Sequence, residues 1–484
     1  MTSLLASSIL SVIPELVLAI SAMFLLVLGA IRKEGKGFSL ITHASILVLI
    51  ISIFYVLRLS EYSFSGFGDM FVINKFTSYM KVLVAIGSIM SLMLCFSYLE
   101  REKLTRFEYP ILVLFATLGM FMMISANSLI SLYMGLEMQS LPLYVLAAIQ
   151  RDKIKSSEAG LKYFVLGALA SGLLLYGSSM IYGFAGTVNF YELSDVFANL
   201  ETVPVGLVVG LVFVICGLGF KISAVPFHMW TPDVYEGAPT PVVAFFAIAP
   251  KVAAIALIMH VLFGPFGGLV DQWRQVIVAL SVLSMTLGAL AAIVQTNIKR
   301  LMAYSSIGHM GYALVGVAAG EVIGVRSVIL YMLIYMMMSA GTFAVILSMR
   351  RGERYVEKIS DLAGLSKTQP MLALVMTILM FSMSGIPPMA GFFGKLFIFQ
   401  AAVESDMYAL AVFGVLTSVV AAFYYLRIIK VMYFDESAEE FDTPIDIGVR
   451  ALAYTVTAFI VCFILVPAPF VQGAMNAAYA LLPT

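Results

Sequence analysis

Charged side chains make up only 12% of this 484-residue sequence, and tryptophan occurs twice, cysteine three times and histidine four times. Each scarcity excludes something. Lysine plus arginine and aspartate plus glutamate both number 28, so the formal net charge is zero and nothing points to nucleic acid. Cys95, Cys216 and Cys462 stand alone inside apolar runs. Without CxxC or Cys/His spacing they read as small buried hydrophobes, not as disulfides or as zinc or iron–sulfur ligands. No GxGxxG follows a strand pattern and no P-loop occurs, so the chain carries no evident nucleotide or redox-cofactor site. The first apolar run, 9–30, has no basic stretch before it and is too long for a signal sequence, so it reads as a retained helix.

What is abundant is apolar surface. Hydrophobic residues reach 61% and the mean hydropathy is +1.01, values of a membrane protein. The thirty methionines and thirty-five phenylalanines are expected against lipid and between helices. At roughly 20 residues per crossing, the chain divides into fourteen segments: 9–30, 38–58, 77–98, 109–126, 128–150, 159–183, 205–230, 239–263, 273–295, 300–319, 326–349, 369–402, 407–433 and 447–470. The expected fold is therefore an all-α polytopic membrane protein with about 14 transmembrane helices.

Basic residues give the orientation. Odd-numbered connections hold clusters such as Arg101, Lys103, Arg106 and Arg350, Arg351, Arg354, Lys358, whereas even-numbered ones hold only Arg58, Lys75, Arg274 and Arg326. By the positive-inside rule the odd connections face the cytoplasm, and both termini lie on the opposite side.

The remaining basic residues fall within segments, and all are lysine: Lys81, Lys162, Lys221, Lys251 and Lys395. Arginine keeps its proton under nearly any protein condition, while a desolvated lysine can release one. That suits proton carriage, although so small a set is no proof. Lys221 stands just before a break at Pro226, which lacks an N–H and clashes with the preceding turn. Lys251 follows about 18 Å into the next segment. The twelfth segment is broken at Gly385–Gly391, where Pro387 and Pro388 are adjacent, and Lys395 follows. Non-helical backbone at membrane depth survives only where protein or water surrounds it, and buried ionisable groups there are functional candidates.

Glu137 lies about 14 Å into the fifth segment, near the midplane, and a buried lysine is its nearest plausible partner. The bland reading of Lys221, Lys251 and Lys395 is a structural ion pair, since their depth argues against snorkelling. Lys162, with Glu158 one turn earlier, fits an exposed helical pair as well as a functional one. Glu15 and Lys81 are expected to snorkel to the outer headgroups. His228 in the break could relay protons or simply pack. His309, beside Tyr304, Ser305 and Ser306, could carry a water chain. His43 and His260, nearer segment ends, receive no role, and the acidic run 435–446 reads as a solvated loop.

Segments four to eight and nine to thirteen form two five-helix blocks, each with its fourth helix broken. Five being odd, the second block enters from the opposite face, which makes an inverted repeat whose broken helices point to an ion site. The expected units are 1–107, three N-terminal helices; 108–264 and 265–434, the two repeats; and 435–484, the last helix.

The runs GFKISAVPFHMWTPDVYEGAPTPVVAFFAIAPK, LYMGLEMQSLPLYVL and SGIPPMAGFFGK closely resemble the antiporter-like subunits of respiratory complex I, over the whole chain. Lys395, where a sibling branch has glutamate, and a short tail after the last helix make it most similar to the chain N (subunit 2) branch of the bacterial enzyme. The resemblance implies a pair of Glu137 with Lys221, a connecting Lys251, an exit-side Lys395 and a further family lysine at Lys162. It implies a subunit of a proton-translocating NADH:quinone oxidoreductase in the bacterial inner membrane, with periplasmic termini. Its implied partners are the lipid bilayer and the other membrane-arm subunits, including homologous antiporter-like ones. NAD, FMN, iron–sulfur clusters and quinone are expected in those partner subunits, none in this chain. Two rivals stand beside this reading. One is a subunit of a multisubunit cation/proton antiporter, disfavoured because buried lysines repel a cation; the other is a purely structural subunit.

Overall fold

Inside a bilayer each backbone N–H and C=O must find a partner within the protein, which leaves helices as the only way to build these apolar segments. The computed structural model describes residues 8–32, 36–352 and 354–482, so Lys33 and the extreme termini lie outside the described residues. The crossings are α1 (Ile13–Ile31), α2 (Lys36–Leu59), α3 (Lys75–Arg101), α4 (Glu108–Ser125), α5 (Leu129–Ala147), α6 (Ile154–Ala185) and α7a (Val205–Ile222) with α7b (Trp230–Gly237). They continue as α8 (Thr240–Phe263), α9 (Val270–Ile293), α10 (Ile298–Ala319), α11 (Val322–Leu347), α12a (Pro370–Ser384) with α12b (Ala390–Glu404), α13 (Tyr408–Phe434), and α14a (Ile447–Cys462) with α14b (Ala468–Leu481). Eleven of these helices are individually long and apolar enough to span. The helix α10 and the two-piece crossings α12 and α14 complete the expected set.

The centre is α8, buried along its whole length, with α11 nearly so, while α1, α2, α6 and α13 turn much of their surface outward. In each repeat the first two helices are drawn together through glycine. A Cβ on Gly119 of α4 would meet the backbone of Gln139 in α5 at 2.2 Å, and one on Gly288 of α9 would meet Gly308 N of α10 at 2.6 Å. Small residues let membrane helices approach to backbone contact, and here the same device recurs at corresponding places. The breaks recur too. The helix α7a ends on Ser223 and α12a on Gly385, both left-handed.

The helix ends are woven together on the face that carries both ends of the described chain, called the outer face and the opposite one the inner face, with no side of the bilayer implied. A hairpin, Phe64–Gly66 with Phe71–Ile73, bridges to Ala126, and Ser128 bridges to Asn189. Ser128 and Ser131 form a reciprocal cap that sets where α5 begins. Phe67 N donates to Ser8 Oγ on this side. Leu481 lines a cavity with Lys75 here, so the two ends of the described chain share one face.

Three expectations change. The last crossing does not stop near residue 470. Gly448 sits beside Met93 and Gly473 beside Tyr79 of α3, so α14b continues the passage along α3 after a break at Phe463–Pro467. The acidic run is the largely exposed loop expected, but it is pinned rather than free. Arg350 pairs with Asp442 at 3.3 Å, Arg351 Nε donates to Glu439 O, and Phe441 is buried, because arginines of the α11–α12 connection face it. Finally, Glu15 and Lys81 do not snorkel. They form a buried 2.5 Å ion pair between α1 and α3, with Lys81 over the Phe121 ring of α4. The packing of three helices closes the route to the headgroups.

Removing one partner of a buried pair strands the other charge, a loss of about 3–5 kcal/mol, whereas replacing both is far milder. Glu15→Leu or Lys81→Met alone should therefore sharply reduce the amount and melting temperature of the detergent-purified complex, and the double variant should recover most of the loss. Equal instability of single and double variants would show that the pair matters for more than charge balance.

Candidate functional site

The break in α7 follows from one missing donor. In an α-helix the N–H of residue i+4 bonds the carbonyl of residue i. Pro226 has no N–H for Ile222 O, so α7a stops at Ile222, four residues before the proline. Lys251 takes the freed carbonyl: its Nζ donates to Ile222 O at 2.8 Å and to Ser223 Oγ, and lies 5.5 Å from the Trp230 ring centre. Trp230 Nε1 donates in turn to Phe220 O, and Thr231 Oγ1 to Ser223 Oγ. The first residues of α7b thus build the walls around an ammonium that is 1% exposed.

Lys221 points the other way from α7a. Its Nζ donates to Ser140 Oγ of α5 at 2.7 Å, with the Tyr144 and Phe220 rings beside it. It is not on Glu137, which stands three residues earlier on the same helix with Oε1 buried and without a partner among the described residues. Glu137 is half-buried, at the edge of an α5 stripe where Ile130, Met134, Leu141 and Val145 are exposed.

In the second repeat, Lys395 Nζ donates to Ser384 O at 3.0 Å and Ser418 Oγ at 2.8 Å, and sits 4.9 Å from the Tyr312 ring centre. A small cavity joins Lys395 to Ser305, His309, Tyr312 and Tyr425. His309 is held between two phenols, Tyr331 Oη at 2.6 Å on Nδ1 and Tyr425 Oη at 3.1 Å on Nε2, and Tyr425 also meets Ser305. The polar surroundings expected of His309 are present, but tyrosines of α11 and α13 make them rather than its own sequence neighbours alone.

Two sequence candidates lie apart from these lysines. His228 is half-buried in the break, beside exposed Pro226 and Met229, and its Nδ1 has no partner among the described residues. Lys162 is at the inner rim of α6, bonded to Glu158 and Asp233 at 2.7 Å each, because α6 is 32 residues long and projects past the span. There it joins a network. Arg300 of α10 holds Asp233 at 2.7 Å and Glu236 at 3.1 Å, Lys155 holds Glu236 at 3.0 Å, and buried Lys299 donates to Ala238 O. These cations gather at the C-terminal end of α7b, where the helix dipole favours positive charge. An inner cavity of about 180 Å³ opens on Lys155, Glu158, Lys162, Asp233 and Glu236. On the opposite face an outer cavity of about 580 Å³ is lined by His260, whose Nδ1 meets Ile124 O at 3.1 Å.

Asp233, Arg300, Ser140, Ser418, Tyr331, Tyr425 and His260 were all missed from sequence. The two serines gave no signal, because Ser140 lies inside α5 and Ser418 inside α13, and only packing brings them to the lysines. Among the described residues, no three His, Cys, Asp or Glu side chains gather where a metal could be held.

This fold agrees with that of known proteins. Residues 126–421 match the family model described as NADH:quinone oxidoreductase/Mrp antiporter, TM. The NADH-quinone oxidoreductase subunit N of Paramagnetospirillum magneticum is 55% identical over 98% of this chain and 98% of its own length. A chain of respiratory complex I from Thermus thermophilus, solved with bound aureothin, superposes with a TM-score of 0.81 at 31% identity, covering 95% of this chain and 98% of that one. A chain of the Mrp complex from a Dietzia species superposes at 0.87 over 99% of this chain and 98% of that one, but at 23% identity, which speaks for the fold alone. The chain belongs to this antiporter-like membrane family, and within it to the NADH-quinone oxidoreductase subunit N proteins.

Asp233 is shared by Lys162 and Arg300, so Asp233→Asn should leave these cations only Glu158 and Glu236 as partners and loosen α7b. Partly exposed pairs contribute about 0.2–1 kcal/mol each, so losing the two costs about 0.4–2 kcal/mol, which corresponds to roughly 2–30-fold more frequent opening. Hydrogen exchange of the 230–237 amides in the assembled complex checks this; unchanged exchange would mean that packing of Trp230 alone holds the helix.

Proposed function

We propose that this chain is a proton-conducting membrane subunit of an NADH:quinone oxidoreductase, coupling electron transfer in partner subunits to proton movement along its buried lysines. The observation that supports it best is the series of ammonium groups at membrane depth, Lys221, Lys251 and Lys395, each held by hydroxyls or backbone carbonyls rather than by a carboxylate. A structural brace would bring a counter-charge, as Glu15 does for Lys81. These three have none within salt-bridge distance among the described residues.

In this reading the inner cavity at Lys162 and Asp233 collects protons from the cytoplasm, and the termini and the outer cavity face the periplasm. Units 108–264 and 265–434 act as two related half-paths around the breaks. Lys221 rests on Ser140 in the observed state and swings to Glu137 in another, one turn away on α5. Glu137 stands at the edge of an exposed stripe, where a neighbouring membrane subunit would cover it and carry the redox-driven signal. His309 with its two tyrosines links the centre to Lys395, while Lys162 serves at the inner mouth and His228 at the break. NAD, FMN, iron–sulfur clusters and quinone belong to the partner subunits.

The magnitudes agree. Moving one proton against about 200 mV costs roughly 4.6 kcal/mol, and making or breaking one buried ion pair changes the free energy by about 3–5 kcal/mol. One such pair is therefore enough. A sodium path would need converging oxygen ligands, and the lysines oppose it.

The test is Lys221→Ala in the assembled complex, with NADH:quinone activity and proton pumping measured together in sealed vesicles. Pumping should fall to near background, with or without electron transfer. Unchanged activity at an unchanged proton-to-electron ratio would reduce the lysines to braces.

A further inference from the structure

We propose that Lys251 and Lys395 are two copies of one proton-holding site, set at the same point of the two repeats but filled from different helices, with Ser418 marking where α13 would supply the second ammonium. The inference rests on the proton-path reading above and deepens it.

The repeated element is a carbonyl orphaned by proline. Pro226 cannot bond Ile222 O, and Pro388, four residues after Ser384, cannot bond Ser384 O. An ammonium takes each place. Lys251 Nζ meets Ile222 O at 2.8 Å and Lys395 Nζ meets Ser384 O at 3.0 Å. Both carbonyls belong to the last residue of the first half-helix, whose end carries the negative pole of the dipole. A serine hydroxyl completes each site, Ser223 in one and Ser418 in the other. An aromatic face does so as well, Trp230 in one and Tyr312 in the other.

The origin of the lysine is what differs. Lys251 comes from α8, the fifth helix of its repeat. The fifth helix of the second repeat is α13, and its residue at the ammonium is Ser418, 2.8 Å from Lys395 Nζ and 3.4 Å from Ser384 O. Lysine has moved to the second half-helix, α12b, and a serine stands where the first repeat has lysine. That explains why no midmembrane lysine occurs in α13 although α8 carries one.

The chemistry explains why lysine suits the place. When the ammonium passes its proton to the next acceptor it becomes a neutral amine with two N–H groups left. Those two are enough to keep both the carbonyl and the hydroxyl bonded. The site therefore holds its geometry in both protonation states and leaves no stranded counter-charge behind. What matters is an amine at the half-helix end, not the helix that delivers it.

The experiment compares Lys395→Ser, Ser418→Lys and the exchange Lys395→Ser/Ser418→Lys in the full complex in sealed vesicles. Protons moved per electron are read, with complex amount and NADH:quinone turnover as controls. Lys395→Ser should lose most of the ratio, and the exchange, which conserves the side-chain atoms of the pair, should regain most of what was lost. A well-assembled exchange variant no better than Lys395→Ser would overturn the equivalence and leave the proton-path reading intact. Normal pumping by Lys395→Ser would instead overturn that reading at its exit side. If the exchange variant does not assemble, Ser223→Ala and Ser418→Ala decide the matter: equivalent sites require similar losses of ratio, and a loss at one serine only refutes the proposal.

Discussion

A peptide carbonyl without a partner in the hydrocarbon costs several kcal/mol, and two prolines in this chain each create one at a helix end. The rest of the central architecture answers that condition. An ordinary solution would seal the gap with apolar packing and water at the surface. Here Lys251 and Lys395 reach in from elsewhere and donate to Ile222 O and Ser384 O. Two amines thereby enter the membrane as part of the structure, and the proposed proton path makes use of them. The contrast is the break between α14a and α14b. It lies against the rings of Phe459, Phe463 and Phe470 and brings no ionisable group with it.

Polar ties are gathered at the two ends of the helices. On the outer side the hairpin, the Asn127 and Ser131 bonds to the 69–70 backbone, and the cap of α5 tie the helices together. On the inner side the cations of α6 and α10 grip α7b, and the acidic strap is pinned by Arg350 and Arg351. Between them lie buried polar atoms without partners among the described residues, Glu137 Oε1 and His228 Nδ1. Such groups cost about 1–3 kcal/mol each, and they fall around the α5–α7 region where a second arrangement would satisfy them. An eight-residue helix connects the two zones, because α7b carries Asp233 and Glu236 near one end and the Trp230 wall of the Lys251 site at the other.

Much of this was legible because hydropathy and proline act locally. The segments, the two broken helices and the midmembrane position of Lys221, Lys251 and Lys395 depend on a helix's own length and on a donor that proline lacks. Partners were not legible. Glu15 and Lys81 are 66 positions apart and looked like independent snorkelling residues, yet the packing of α1, α3 and α4 closes them into one buried pair. Lys221 had Glu137 as its expected partner, and a turn of α5 gives it Ser140 instead. The last crossing read as ending near residue 470, whereas contact with α3 carries a second half-helix on to Leu481.

The sequence by itself determined the membrane class, the number of crossings, their alternation across the bilayer and the breaks in α7 and α12, since each follows from residues adjacent in the chain. Only the tertiary structure decided which atoms meet at those breaks. A freed carbonyl can be claimed by any donor that packing brings within about 3 Å. That donor comes from α8 in one repeat and from α12b in the other.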